Sequence, residues 1–246
     1  MTLAIIGGTG LTQIADLQIV ERKTLSTPYG EPSADYLLAD LNGVKLVFLA
    51  RHGNPHRIPP HKINYRANIW GLKQLGVSNI LAVAAVGGIG ATMTPGHIAI
   101  PDQIIDYSYG REHTFFADDL QHVTHIDFSY PYTPALRERI IRAAADSGVA
   151  IAANGTYGCT QGPRLETAAE IKRLAQDGCD LVGMTGMPEA ALARELDIAY
   201  ANISVVVNWG AGLEEGEITM AEIERNLAVG MDKAITLLKA CAQQVS

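Results

Sequence analysis

The sequence of 246 residues has few cysteines, few charges and no long apolar run, and each shortage excludes a class of protein. The three cysteines, Cys159, Cys179 and Cys241, are widely spaced and odd in number. We therefore expect neither a disulfide framework nor a zinc site, and a reducing compartment fits this usage. No apolar run approaches the roughly 20 residues that cross a bilayer. The N-terminal MTLAIIGGTG lacks the basic segment of a signal peptide. These absences predict a soluble, cytoplasmic protein.

Charged side chains make up 18% of the chain, and the net charge is −7. Such an acidic protein is not expected to bind nucleic acid or a membrane surface. An anionic ligand would need a local group of cations, so arginines and histidines that lie close together matter most. The hydrophobic content of 48% is enough for a large core, and we predict one domain over residues 1–246.

Short aliphatic runs alternate along the chain with segments of helical periodicity, which is typical of an α/β fold with a mixed sheet. Several runs are apolar at every position, as expected when both faces of a sheet are covered. The predicted strands are Leu3–Ile6, Val44–Ala50, Ile80–Val86, His97–Ile100, Leu181–Met184 and Tyr200–Val207. The predicted helices are Tyr65–Leu75, Pro134–Ser147, Ala168–Gln176, Pro188–Glu195 and Met220–Ala242.

Two helices have clear start signals. Thr133 precedes Pro134, which predicts an N-cap followed by proline at the first helical position. Thr219 lies three residues before Glu222, the spacing of a capping box. The segment Tyr107–Tyr132 shows little periodicity and is predicted to be a long loop, a kind of segment that is often functional or at an interface.

The stretch IIGGTGL, from Ile5 to Leu11, combines an apolar strand, a glycine turn and the hydroxyl of Thr9. Glycines let the backbone approach a ligand closely, and exposed N–H groups there suit an anion. The spacing differs from the G-x-G-x-x-G of dinucleotide sites, and no amphipathic helix follows, so that alternative is disfavoured. A plain tight turn stays open as an alternative.

Arg51 and His52 follow the apolar strand that ends at Ala50. Ligands of α/β proteins bind at this end of the strands, and an arginine can hold phosphate or carboxylate with two hydrogen bonds. His52, His56 and His61 could suggest a metal, but no acidic or cysteine ligand lies nearby. We predict no metal and place His56 and His61 in a surface loop.

Three further stretches end apolar strands with polar or small residues. In NILAVAAVGGIG, Ala84 and Ala85 can offer only backbone groups and close approach, and a closely packed strand end without a ligand is an equal alternative. In TQGPRLETAAE, Glu166 precedes Thr167, which can cap the next helix, and a solvated or capping acid is the alternative for Glu166. In LVGMTGMPEAALARE, Met184 alone would be assigned to the core.

Together and in this order, five segments resemble the trimeric purine nucleoside phosphorylase and methylthioadenosine phosphorylase family. They are IIGGTGL, ARHG…NYRANIWGLK, AAVGGI…PGHIAIPDQIID, GPRLETAAE and MTGMPEAALARE. The resemblance implies a single-domain nucleoside-phosphorylase-like α/β fold with a mixed, partly barrel-like sheet flanked by helices. It also implies a homotrimer with active sites near subunit interfaces. The implied reaction is phosphorolysis of a nucleoside, with inorganic phosphate as co-substrate and no metal or organic cofactor.

The resemblance also assigns roles to residues. Thr9, Arg51, His52 and Thr185 match the family's phosphate ligands, and Ala85 matches through its backbone. Ala84 stands where the family often has Thr or Ser, so one hydroxyl contact is expected to be missing. Met184 matches the residue that lines the ribose. The remaining residues expected to bind substrate are Leu165, Glu166, Asn208, Trp209 and Gly210, and Arg51, His52 and Asn208 are expected to be catalytic.

Two positions predict the base. Asn208 stands where methylthioadenosine phosphorylases usually carry Asp, and an amide can donate to O6 of a purine while its carbonyl accepts the N7 proton. Glu166 resembles the Glu with which the inosine- and guanosine-cleaving branch accepts from N1–H. Both positions favour a 6-oxopurine.

The sugar end indicates a different branch. Ordinary purine nucleoside phosphorylases place a His early in the last helix, whereas all seven histidines here precede residue 126. The matching segment offers Met220 and Ile223, which would suit a 5′-methylthio group, although both also fit the helix's apolar stripe. The predicted substrate is therefore S-methyl-5′-thioinosine. The alternatives are phosphorolysis of inosine or guanosine, phosphorolysis of methylthioadenosine, and a non-catalytic nucleoside-binding or dinucleotide-binding module.

Overall fold

The computed structural model describes residues 2–8, 17–118 and 120–245. Eleven strands join one mixed sheet within these residues. They are β1 Thr2–Gly7, β2 Leu17–Lys23, β3 Tyr36–Leu41, β4 Val44–Ala50, β5 Val77–Gly88, β6 Ile98–Ala99, β7 Gln103–Asp106, β8 Ile151–Ala152, β9 Thr156–Cys159, β10 Leu181–Gly183 and β11 Ala199–Trp209. The helices are α1 Tyr65–Gln74, α2 Pro134–Ser147, α3 Ala168–Gln176, α4 Gly186–Glu195 and α5 Met220–Val245, with a short 3₁₀ helix at Pro60–Lys62. No helix in the described ranges is long and apolar enough to cross a membrane.

The sheet branches at β5. One path runs β2-β3-β4-β1-β5-β10-β9-β7, and β11 leaves it by pairing in parallel with β5. The central pairs β1–β4 and β1–β5 are parallel, whereas β5–β10 and β2–β3 are antiparallel. Because the ends of β4, β5 and β11 meet at one edge, the residues that follow them are brought together there.

Helices cover both faces of the sheet, which explains why β5 and β11 are apolar at nearly every position. One core cluster joins α2 and α5 to the sheet, and a second joins α1 and α4 to it. Helix α5 lies close to the sheet at Gly230, where an added methyl group would overlap Cγ1 of Val205 on β11.

The predicted elements are present, with α2, α3 and β4 at the predicted bounds. Thr219 and Glu222 form the predicted capping box, with Glu222 N donating to Thr219 Oγ1 at 3.3 Å. Thr133 is the N-cap residue of α2, but its hydroxyl accepts from Tyr200 N at 3.1 Å instead of capping the helix. The mixed-sheet α/β prediction is confirmed.

The segment Tyr107–Tyr132 contains no helix or strand in the part that the structure describes, as predicted. It is nevertheless anchored to the body of the protein. The carboxylate of Glu195 in α4 accepts from Thr114 Oγ1 at 2.6 Å and from Phe115 N at 2.7 Å. Phe115 packs edge-on against Tyr29, with ring centroids 5.1 Å apart.

Candidate active site

A cavity of 810 Å³ opens where β4, β5, β10 and β11 end. Most of the predicted site residues line it, and they come from segments far apart in the sequence. The lining includes Arg51, His52, Ala84, Ala85, Leu165, Glu166, Met184, Thr185, Asn208, Gly210, Met220 and Ile223. The topology therefore gathers into one cavity residues that sequence motifs indicated separately.

Two predicted residues are not placed in this cavity. Thr9 lies outside the described residues, although its neighbour Gly8 lines the cavity. Trp209 instead lines an adjacent pocket of 250 Å³, together with Gly210 and Glu217. Successive residues of a strand point to opposite sides, so with Asn208 in the main cavity its neighbour Trp209 faces away.

Arg51 is held rigidly at the end of β4. Its side chain is 2% exposed, and Glu189 of α4 accepts from Nε at 2.6 Å and from Nη2 at 2.7 Å. Nη1 donates to Val83 O at 3.1 Å. A guanidinium has five N–H groups, so one on Nη1 and one on Nη2 remain for a ligand. Burial alone would lower the pKa of Arg51, but the charge and hydrogen bonds of Glu189 raise it overall.

Glu189 has a third partner, because Tyr200 Oη donates to its Oε1 at 2.8 Å. The carboxylate is fully buried, and its charge is matched by Arg51. Bidentate pairs of this kind fix direction as well as charge. Glu189 was predicted only as part of a helix, and its role depends on an ion pair between positions 138 residues apart.

His52 is neutral and has a fixed tautomer. Its Nδ1 lies 2.8 Å from Ile58 O, and because a carbonyl only accepts, Nδ1 carries the proton. Burial and then the charge of Arg51 lower the pKa of His52 to about 4. The ring stacks on exposed His56, with centroids 4.3 Å apart. Nε2 is thus left as an acceptor beside the cationic Arg51.

Small or polar residues complete this end of the cavity. Ala85 is exposed although it lies within the central strand β5, so the cavity reaches the backbone there. Thr185 follows β10 and is 6% exposed, and its hydroxyl makes no capping hydrogen bond to α4. Arg51, Ala85 and Thr185 therefore offer N–H and O–H donors to an anion.

A second end of the cavity carries Glu166 and Asn208. Thr160 Oγ1 donates to Glu166 Oε1 at 2.6 Å, which leaves Oε2 for a ligand. Asn208 Nδ2 donates to Trp209 O at 2.6 Å, so Oδ1 points away from that carbonyl. The β11–β5 register shifts between Val206 and Asn208, and this irregularity sets the direction of the amide.

The third end is apolar and is built on α5. Met220, Ile223, Leu227 and Met231 follow one another at helical spacing and line the cavity with Ile218. Met220 is 65% exposed, so core packing does not account for it. Ile223 lines the cavity and also packs against the core cluster. Leu227 and Met231 also pack against the core cluster, and sequence reasoning did not single them out as site residues, although they lie on the same apolar face of the helix.

No group of three or more His, Cys, Asp or Glu in the described ranges could hold a metal ion. His56 is exposed in the loop before α1, as predicted, and also lines the cavity, whereas His61 is half-buried in the 3₁₀ helix Pro60–Lys62, so its prediction as a surface-loop residue was wrong. Among the described residues neither joins such a group. The cavity thus presents an anion-binding end, a polar end with a fixed carboxylate and amide, and an apolar end. Such an arrangement suits a polar heterocycle, a sugar with an apolar substituent, and an oxyanion.

This fold is that of the nucleoside phosphorylases. The phosphorylase superfamily profile matches residues 2–243, and the chain belongs to that superfamily. It is 60% identical to the "Probable S-methyl-5'-thioinosine phosphorylase" of Pseudomonas syringae pv. tomato, over 94% of each chain. It is 43% identical to the "Probable 6-oxopurine nucleoside phosphorylase" of Thermococcus kodakarensis, over 99% of this chain and 92% of the relative.

Solved structures agree with this assignment. Methylthioadenosine phosphorylase from Schistosoma mansoni in complex with adenine superimposes with a TM-score of 0.94. The two chains are 29% identical, and the match covers 100% of this chain and 92% of the other. The family resemblance inferred from the five sequence segments is therefore confirmed.

Proposed function

We propose that the protein uses inorganic phosphate to cleave S-methyl-5′-thioinosine into hypoxanthine and 5-methylthioribose 1-phosphate. The names of its relatives support both halves of this substrate, a 6-oxopurine and a methylthio sugar. The observation that carries the proposal is the joint presence of Glu166 and Asn208 in a cavity whose sugar end is lined by Met220 and Ile223.

Phosphate binds at the end that carries Arg51. The two free N–H groups of Arg51, the hydroxyl of Thr185 and the backbone at Ala85 donate to its oxygens, and Thr9 is proposed to add a contact. His52 accepts through Nε2, which matches the single O–H of the phosphate dianion. These groups hold the nucleophile beneath C1′ without a covalent enzyme intermediate.

The reaction breaks the C1′–N9 bond and forms a C1′–O bond to phosphate. The bonding electrons leave with the purine, whose negative charge is neutralised when N7 takes up a proton from solvent, while the phosphate that has become a sugar ester gives up its O–H proton to solvent. Asn208 Oδ1 accepts the hydrogen bond from that N7–H, and the second N–H of Nδ2 donates to O6. Glu166 Oε2 accepts from N1–H. Because adenine has an amino group at C6 and no N1–H, it would leave these groups unpaired.

The sugar lies between these two ends. Met184 packs against the ribose, and the 5′-methylthio group contacts Met220 and Ile223. A 5′-hydroxyl would lose hydrogen bonds to water without gaining partners from this apolar wall. Leu165 and Gly210 border the base. Neither a metal nor an organic cofactor takes part in the proposed reaction, so turnover should survive a chelator.

The test is phosphorolysis of methylthioinosine, methylthioadenosine and inosine measured side by side, with and without phosphate. We expect phosphate-dependent hypoxanthine release that is fastest from methylthioinosine. Preference for methylthioadenosine would refute the assignment of Glu166 and Asn208, and equal turnover of inosine would refute the apolar sugar end. Base binding without phosphorolysis would indicate a binding protein.

Glu166→Gln provides a matched variant. The amide keeps the shape of the side chain but weakens acceptance from N1–H, so methylthioinosine turnover should fall more than methylthioadenosine turnover. Glu222→Gln, in the exposed capping box of α5, is the control. The homotrimeric state and the cytoplasmic location also stay predictions, and light scattering of the purified protein tests the first.

A further inference from the structure

Arg111 belongs to the long loop Tyr107–Tyr132 and does not line the cavity, yet its guanidinium makes hydrogen bonds to two segments that do. Nη2 donates to Thr160 O at 3.1 Å and to Gln161 O at 2.9 Å. Nη1 donates to Met184 O at 2.9 Å and to Met187 O at 2.5 Å. Four main-chain carbonyls therefore converge on one cation.

The side chain is also held at its own position. Nε donates to Gln161 Oε1 at 3.1 Å, and the guanidinium carbon lies 5.7 Å from the centre of the Tyr65 ring. The loop that carries Arg111 is anchored three residues later, at the Thr114–Glu195 hydrogen bond. The Arg111 side chain and the loop that carries it are therefore both held in place.

The two segments serve different ends of the cavity. Thr160 follows β9, and its hydroxyl holds Glu166 at 2.6 Å. Met184 follows β10 and leads directly to Thr185, so it belongs to the sugar and phosphate ends. The backbone ladder between the two strands ends where Thr160 N donates to Gly183 O at 2.8 Å. Beyond that bond the guanidinium of Arg111 connects them.

We propose that Arg111 is a positioning residue that fixes the distance between the base-binding segment and the sugar- and phosphate-binding segment. This inference rests on the proposed function, because it assumes that Glu166 contacts the base. Without the cation, the four carbonyl oxygens repel one another and lose their donors, so the segments separate. Lysine cannot replace arginine here, since its three donors radiate from a single atom and cannot reach both pairs of carbonyls.

The experiment compares Arg111→Ala and Arg111→Lys with the wild-type protein in phosphorolysis of methylthioinosine. Because a displacement of about 1 Å can lower a rate about 100-fold, we expect kcat/KM of Arg111→Ala to fall by that order. Arg111→Lys should fall at least about 10-fold although it keeps the charge. Arg142→Ala, an exposed arginine of α2 outside the cavity lining, is the matched control and should keep wild-type kinetics.

Chemical rescue separates positioning from loss of folding. Millimolar methylguanidinium should restore part of the activity of Arg111→Ala and should not change the wild type or Arg142→Ala. Selectivity for methylthioinosine over methylthioadenosine should also decrease in Arg111→Ala, because Glu166 moves with Thr160. Should Arg111→Ala not fold, Arg111→Lys and Thr160→Val take its place, and both should lose selectivity while keeping their melting temperature.

The outcomes distinguish the two proposals. A wild-type protein that fails to release hypoxanthine from methylthioinosine overturns the proposed function, and calorimetric binding of hypoxanthine then tests Arg111 without turnover. The Arg111 proposal is overturned by a folded Arg111→Ala or Arg111→Lys variant with kcat/KM and hypoxanthine affinity within about twofold of wild type. The expected losses in kcat/KM are about 100-fold for Arg111→Ala and at least about 10-fold for Arg111→Lys. The Arg111 proposal is also overturned if the loss of activity in the variants is proportional to the loss of folded protein and methylguanidinium restores no activity.

Discussion

The Arg51–Glu189 pair leads to a prediction about stability. Both side chains are almost completely buried, at 2% and 1% exposure, and two hydrogen bonds of 2.6 and 2.7 Å join them. Glu189→Gln keeps the shape of the side chain and removes the negative charge. Arg51 is then a buried cation without a counter-ion, a change that costs about 3–5 kcal/mol.

For a chain of this size, each kcal/mol corresponds to about 2–4 °C in melting temperature, so Glu189→Gln should lower it by about 6–20 °C. Phosphate supplies the missing negative charge if it binds Arg51, so it should raise the melting temperature of the variant more than that of the wild type. Thermal unfolding followed by circular dichroism, with and without phosphate, measures both effects.

Glu112→Gln is the control, because Glu112 forms an ion pair with Arg66 at 3.0 Å but is 74% exposed. Removing it should cost less than about 1 kcal/mol. A melting temperature of Glu189→Gln within about 2 °C of the wild type in phosphate-free buffer would refute the argument from burial. An equal response of variant and wild type to phosphate would refute the assignment of Arg51 to the phosphate.

Three further predictions concern the cavity. Asn208→Asp places a carboxylate oxygen against Trp209 O, to which Nδ2 of the wild-type residue donates at 2.6 Å. We expect methylthioinosine turnover to fall at least about 10-fold relative to methylthioadenosine turnover. An unchanged ratio of the two rates would contradict this prediction. Met220→His should raise inosine turnover relative to methylthioinosine, which a competition assay measures, and no change would mean that residue 220 does not reach the sugar. The pKa of His52 is lowered to about 4 by burial and by Arg51, so the unfolded chain binds the extra proton between pH 6.5 and 4. Stability should fall as the pH falls through this window, and His52→Gln should flatten that part of a denaturation series.

Residues near the end of an apolar strand could be predicted from the sequence. Arg51 directly follows β4, Thr185 lies two residues after β10, and Asn208 is the next-to-last residue of β11. Strand ends meet wherever a sheet of this kind forms. Met220 and Ile223, which line the cavity, were predicted for a different reason, the lack of a histidine in the last helix where ordinary purine nucleoside phosphorylases place one. That prediction depended on the family resemblance and not on a local pattern.

Edge strands and long-range partners could not be predicted in this way. Most residues of β2, Leu17–Lys23, are exposed. This strand therefore has no buried face that would require apolar and polar residues to alternate in the sequence. Glu189 meets Arg51 across 138 positions, and Arg111 meets Met184 across 73. Such pairings depend on how β4, β9, β10 and the long loop pack together. The spacing of residues along the sequence does not predict these contacts.

The absence of a side chain at Gly230 has a consequence for how the substrate specificity of this enzyme could change. Glycine costs a helix about 1 kcal/mol relative to alanine, and here it lets α5 lie directly against Val205. Leu227 and Met231, on either side of it, form the wall nearest the apolar end of the cavity. A methyl group at position 230 would overlap Val205 Cγ1, so α5 or the Val205 side chain would have to shift. The proposed pocket for the 5′-substituent would therefore change through a residue that does not itself line the cavity.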